Sequence, residues 1–371
     1  MKNKGVLNIV IILASILCSS LSIETQNTAS PISTPTIIPP IPALTNDQAM
    51  LENEENVLLD FAISPDGTQL AIYTNKSIRL HNLKTSQENV IENFATNSYI
   101  RYTPGSVTFT QDGSKLLISG KFDNQPVRIW NIENSNWEGE VENTKDFQLI
   151  TSMEFSPSGN TLLIQSISRF SARCEGPGNK LTLITFDKNP GKILFETDGC
   201  MIAPSEHRFT NNGKLFIFNG TMSSQYSVYT IDANTGEVIS LEKYDSEEDG
   251  VFYDISSNGK IAAISEYQKE LTKLVDITNM DLVGTIQGQL FLRLINNEKD
   301  FFAYDYKTEL WGYWIDGEKS CVYNGLDYMD LRDNLRINSN LQLIAAFTYN
   351  KELKIFNIQD CKLLKEFSFS D

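Results

Sequence analysis

Histidine is almost missing from this chain: 371 residues hold two, His81 and His207. They share no motif, so neither a Ser–His–Asp triad nor a histidine-based metal site has support. Both read as packed structural residues. Gly-x-Ser-x-Gly and phosphate-cradling glycine loops are also absent. Basic charge is scarce, with 31 Lys and Arg against 47 Asp and Glu and a net charge of −16. A nucleic-acid binder needs a basic surface from which counterions are released, so nucleic acid is excluded as a partner. Nothing here calls for a cofactor or a metal, and none is expected.

Long apolar runs are confined to the N-terminus. "MKNKGVLNIVIILASILCSS" places Lys2 and Lys4 before an apolar run from Val6 to Leu17, then small residues, which is the layout of a secretory signal peptide. Removing it takes the net charge from −16 to −18. Two alternatives stay open: lipid attachment at Cys18, although Leu17 before it is not small, and retention of 6–23 as an anchor. Residues 23–50 are rich in Thr, Ser and Pro without periodicity and read as an extended spacer. A spacer makes most sense beside a membrane tether. The expectation is therefore an exported, envelope or extracellular protein, with 1–22 as signal or anchor, 23–50 as spacer and 51–371 as the folded domain.

That domain repeats. The turns "ISPDG" (63–67), "FTQDG" (109–113), "FSPSG" (155–159), "FTNNG" (209–213) and "ISSNG" (255–259) are followed by degenerate copies at 295–299 and 337–341. They recur every 40 to 54 residues, a period that belongs to four-stranded propeller blades. Ile63, Phe109, Phe155, Phe209, Ile255, Ile295 and Ile337 form one apolar column. After each turn, pairs such as Leu70/Ile72, Leu116/Ile118 and Phe216/Phe218 alternate with the period of a strand. A third strand ("VRIWNI", "LTLITFD", "LKIFNI") and a poorer fourth complete each unit. The fold class is all-β: a seven-bladed β-propeller of four-stranded antiparallel blades, because stacking in a closed ring hides the faces a lone sheet would expose. Where the turn glycine is lost, at Lys299 and Leu341, a differently shaped turn is expected. For ring closure, "CKLLKEFSFSD" as the last blade's own outer strand is favoured over the acidic segment Met50–Val57.

"FSPSGNTLLI" and "ISPDGTQLAI", with third strands ending like "VRIWNIEN", resemble the WD40-repeat family over roughly 51–371, as a divergent bacterial member. The Trp-Asp position is met loosely, by His81-Asn82, Trp130-Asn131, Ile231-Asp232 and their counterparts. The family's Gly-His dipeptide is absent, so its usual hydrogen-bond network does not carry over. The turns also resemble TolB-like propellers.

Four cysteines follow Cys18. Cys174 and Cys200 sit in long connections on one face of blades three and four, and a bridge between them is expected, worth roughly 3–4 kcal/mol by chain entropy. Cys321 and Cys361 stand where the outer strands of blades six and seven begin. Outer strands of neighbouring blades diverge, so their Cα atoms should exceed the roughly 7 Å limit and both thiols should be free. The same loop face carries Tyr99, Arg101 and Tyr102, with Arg173 beside Cys174 and Tyr328 and Met329 in 324–333, as candidate contacts. The expected role is a non-catalytic, monomeric scaffold for a protein or glycan partner. A propeller hydrolase or lyase is the alternative. Its site would lie at the central channel, where the chain offers His207, Arg208, Arg293 and Arg336.

Overall fold

The computed structural model describes residues 56–94, 105–119, 125–144, 147, 149–168, 178–186, 191–197, 206–220, 225–245, 251–266, 271–279, 281–287, 290–295, 300–305, 310–315, 318–326, 335–338, 341–348 and 350–369. They form seven four-stranded antiparallel sheets and, among the described residues, no helix. Blades one to seven span 58–93, 107–140, 149–196, 206–245, 251–287, 290–323 and 335–368. In each sheet the spatial order follows the chain order. First strands of neighbouring blades touch one another: Leu58–Ile63 meets both Val107–Phe109 and Leu335–Asn338. These first strands are therefore the inner ones, and the fourth strands form the circumference.

Burial explains the alternation seen in the sequence. The second strand of blade one, Gln69–Thr74, is buried on both faces. Leu70 and Ile72 pack against Ala345, Leu353 and Ile355 of blade seven. Ala71 and Tyr73 turn the other way, onto Phe109, Leu116 and Ile118 of blade two. Seven such apolar clusters each join one pair of neighbouring blades. A fully buried Leu, Ile or Phe contributes about 1.5–3 kcal/mol, so the ring is held chiefly by these contacts. The last sheet is completed by the chain's own C-terminal strand, Leu363–Ser368. Phe367 and Phe369 join the cluster that seals blade seven to blade one.

Side-chain caps fix the turns. The Ser64 hydroxyl donates to Asp66 at 2.6 Å, and Thr110 to Asp112 at 2.6 Å. These bonds hold both carboxyls below the usual aspartate range, against the opposing effect of partial burial. In blade seven, where glycine is lost, the left-handed residue is Gln342, with φ 55°. In blades one and four the turn after the third strand explains the Asp/Asn of the loose Trp-Asp position. Its side-chain oxygen accepts backbone N–H groups two and three residues on, as Asn82 does from Lys84 and Thr85, and Asp232 from Asn234 and Thr235.

That same turn overturns the expectation of free thiols. Cys321 and Cys361 form a disulfide, with Cα atoms 5.9 Å apart. Outer strands do diverge, but Cys361 lies in the turn before the outer strand and not within it. These turns fold back onto the preceding blade. Four residues after the capping Asn or Asp, the chain adopts φ 60° at Ser86, 75° at Gly236 and 54° at Cys361. A Cβ on Gly236 would come within 2.5 Å of Leu194 O in the blade before, and one on Gly191 would strike Glu142 O. Cys361 directs its Cβ along the same approach and meets Cys321. The Tyr323 hydroxyl donates to Ile358 O in that turn at 3.0 Å, and burial pushes its phenol pKa up.

Candidate functional site

The candidate site is the ring's central channel. Register places Ala62, Thr108, Glu154, Arg208, Asp254, Leu294 and Arg336 immediately before the apolar column of each inner strand. From blade three onward this position alternates in charge except at Leu294. One residue earlier stand His207 and Arg293.

These groups link blades to one another. Asp60, on the inner strand of blade one, is 6% exposed. Its Oδ1 accepts from Arg336 Nη2 of blade seven at 2.7 Å. Its Oδ2 accepts from the Ser106 hydroxyl at 2.8 Å and Val107 N at 2.9 Å, both on the blade-two side. Arg336 also lies over the Phe61 ring at 5.5 Å. Asp254 of blade five repeats the arrangement. Its Oδ2 accepts from Leu294 N of blade six at 2.8 Å. Its Oδ1 lies 3.7 Å from Arg293 Nη1 and 3.9 Å from Arg208 Nε of blade four. Arg208 Nη2 reaches past blade five to donate to Leu294 O at 3.0 Å. His207 Nε2 meets Glu154 Oε2 of blade three at 3.1 Å.

Desolvation raises the Glu154 pKa, but His207, Arg208 and Arg336 outweigh it and hold the carboxyl below its ordinary range. Blades three and seven stand across the ring, so the influence of Arg336 on Glu154 acts across the channel. Glu154 is also the best solvated of these charges, its side chain 47% exposed. Three carboxylates thus face three arginines. Their chemistry is that of a cross-link: removing one member of such a buried pair leaves an uncompensated charge. Among the described residues, no three His, Cys, Asp or Glu side chains converge as a metal site requires.

The structure places His207, Arg208 and Arg293 in one group with Glu154 and Asp254, and Arg336 in another with Asp60; the three carboxylates are ones the sequence reading missed. Glu154 and Asp254 were visible in the same register column as Arg208 and Arg336. Asp60 stands beside a register shift in its strand, which takes it out of phase. His81 lies elsewhere, on the third strand of blade one, 3.4 Å from Glu88 and edge-on to Phe367 of blade seven. The candidate contacts Tyr99, Arg101, Tyr102, Arg173, Tyr328 and Met329, and the pair Cys174 and Cys200, lie outside the described residues.

A seven-bladed all-β propeller is the class this fold defines. Among solved structures the chain is similar to Hsv2 of Kluyveromyces lactis, with a TM-score of 0.53 and 12% identity over 85% of this chain and 99% of that one. It is similar also to the computationally designed Ika8 protein, with a TM-score of 0.50 and 14% identity over 85% of this chain and 88% of that one. At such identities the likeness is one of fold alone. No family model and no curated protein matches the sequence.

Proposed function

We propose that this is a non-catalytic binding propeller, a divergent WD40-like one, that offers one rim to a protein or glycan partner in the cell envelope or outside the cell. The observation that carries the reading is the unequal length of the connections at the two rims. Turns between inner and second strands run four to six residues, as at 210–213 and 295–300. At the other rim the connections run from two residues, 288–289, to thirteen, 94–106. The fold needs only the short form, and length in excess of that need is where binding residues concentrate. The two longest connections, 94–106 and 324–334, and one of the three nine-residue ones, 169–177, contain Tyr99, Arg101, Tyr102, Arg173, Tyr328 and Met329.

Two features support the remainder. The channel charges are engaged in holding blades together, which favours binding over a hydrolase or lyase at that point. The Cys321–Cys361 disulfide suits an oxidising compartment, in keeping with the basic-then-apolar N-terminus. The test is affinity capture from the cell-envelope fraction with the native chain and with a variant carrying Tyr99→Ala, Arg101→Ala, Tyr102→Ala and Tyr328→Ala. A partner captured by the first and lost from the second is the expected result. Equal capture by both, or ester, peptide or glycoside turnover abolished by Arg208→Met, refutes the reading.

A further inference from the structure

The rim opposite the long connections carries a different feature. Blade one has there a cleft of 370 Å³ lined by Gln69, Leu80, Asn82, Gln87, Glu88 and Asn89. It is an open surface groove and not an enclosed pocket. Four of the six lining side chains are carboxamides, set on adjoining strands by the sheet register. Gln69 is the cross-strand partner of Asn82, Leu80 that of Asn89, and Asn82 N donates to Gln87 O at 2.8 Å.

The hydrogen-bonding capacity of these groups is unevenly used. Asn82 Oδ1 accepts from the N–H groups of Lys84 and Thr85, which leaves its NH₂ as a donor. Asn89 Nδ2 reaches Ser135 Oγ of blade two at 3.5 Å, the far edge of a hydrogen bond. Gln69 Oε1 is screened from solvent, so of its amide Gln69 offers a ligand the NH₂ alone. The one charge, Glu88, is engaged by Arg79 at 2.8 Å and His81 at 3.4 Å. The cleft therefore presents donors and acceptors side by side around one apolar residue, without an uncompensated charge.

We propose that this cleft binds a neutral saccharide. A carboxamide offers a donor and an acceptor together, which matches vicinal hydroxyls that each donate and accept. Leu80, 8% exposed, adds a small apolar contact for the C–H groups of a sugar. An ionic ligand finds no counter-charge here. An extended peptide carries its N–H and C=O groups on alternating sides, whereas these amides lie in a row across strands about 4.8 Å apart.

The test is saturation-transfer-difference NMR on the full chain with cellobiose, lactose, maltose and N,N′-diacetylchitobiose, and with acetyl-Gly-Gly-amide in parallel. At least one disaccharide is expected to bind, and to weaken by about tenfold or more in Gln69→Leu, because a site built to hydrogen-bond a hydroxyl loses the most when its partner is removed. Gln69→Leu keeps the volume and removes a group without a partner, so the melting temperature should hold. Asn89→Ala, on an exposed strand, should weaken the same disaccharide. No disaccharide transfer at about 10 mM, unchanged transfer in Gln69→Leu, or transfer from the peptide alone overturns the proposal. The cleft and the long connections lie on opposite rims. Loss of partner capture on changing Tyr99 and loss of saccharide on changing Gln69 therefore report separately.

Discussion

Asp60→Ala is the most direct test of how this ring closes. No strand is exchanged between the last blade and the first, so their seam depends on side chains. Asp60 is the hub there, with Arg336 on one side and Ser106 and Val107 on the other. Truncation leaves Val107 N, on a residue 2% exposed, without its acceptor. An orphaned buried N–H costs about 1–3 kcal/mol. The Ser106 hydroxyl, on a wholly buried residue, loses its acceptor as well. Arg336 is 36% exposed and partly rehydrates, so its share is at most about 1 kcal/mol. A total loss of about 3–4 kcal/mol follows. Unfolding entropy near 2.1 cal/mol/K per residue over some 300 residues converts this to a fall in Tm of about 5 °C. Thermal melts followed by circular dichroism read it directly. A double-mutant cycle with Arg336→Ala should return a coupling of about 0.5–1 kcal/mol. A Tm within about 1 °C of the native protein would show that the apolar cluster alone seals the ring, and strict additivity in the cycle would show that the Asp60–Arg336 pair adds nothing to it.

Three further outcomes are expected. Reducing the disulfide, or making Cys321→Ser with Cys361→Ser, should cost about 4 kcal/mol by chain entropy for the 40-residue separation; differential scanning fluorimetry with and without a thiol reductant reads this, and identical curves would refute it. Gly236→Ala should destabilise by about 2 kcal/mol, since φ is 75° and Leu194 O stands in the way, whereas Gly284→Ala, with nothing within 4 Å, should stay within about 0.5 kcal/mol; urea midpoints distinguish them. Burial pushes the His81 pKa below 6.5, only partly offset by Glu88. The unfolded chain then binds the proton more readily, so stability is full above that pH and falls as the pH drops through 6.5 towards the folded value; His81→Gln should flatten that segment of the stability–pH curve.

The fold was legible because one physical constraint repeats seven times. A blade must bury both faces of its second strand, so apolar residues recur in fixed register with the turn, and even the degenerate copies at Ile295 and Ile337 keep the column. What escaped the reading are contacts between blades, which sit at no fixed sequence distance. The disulfide shows why. Reading Cys361 as a strand residue told against a bridge, because strands at the circumference spread apart. Its place in the repeat is that of Gly191 and Gly236, where the turn touches the preceding blade. A position that is glycine in two blades and cysteine in a third marks close approach in all of them, and the same chemistry that forbids a Cβ against a backbone carbonyl favours a bridge when the opposing residue is cysteine.

The channel carries the same lesson for charge. Taken one blade at a time, Glu154 and Asp254 look like solvated residues of short strands. Taken down the column they alternate with Arg208 and Arg336, and a strand position that meets its neighbours around an axis can hold charges only if they compensate. The arginines were noticed and their carboxylates were not, which made the channel look like a sparse cationic site. With Asp60, Glu154 and Asp254 restored, it is two balanced groups of ties, one joining blades seven, one and two and the other joining blades three to six. A ligand that engaged Asp60 or Asp254 there would compete with a tie between blades.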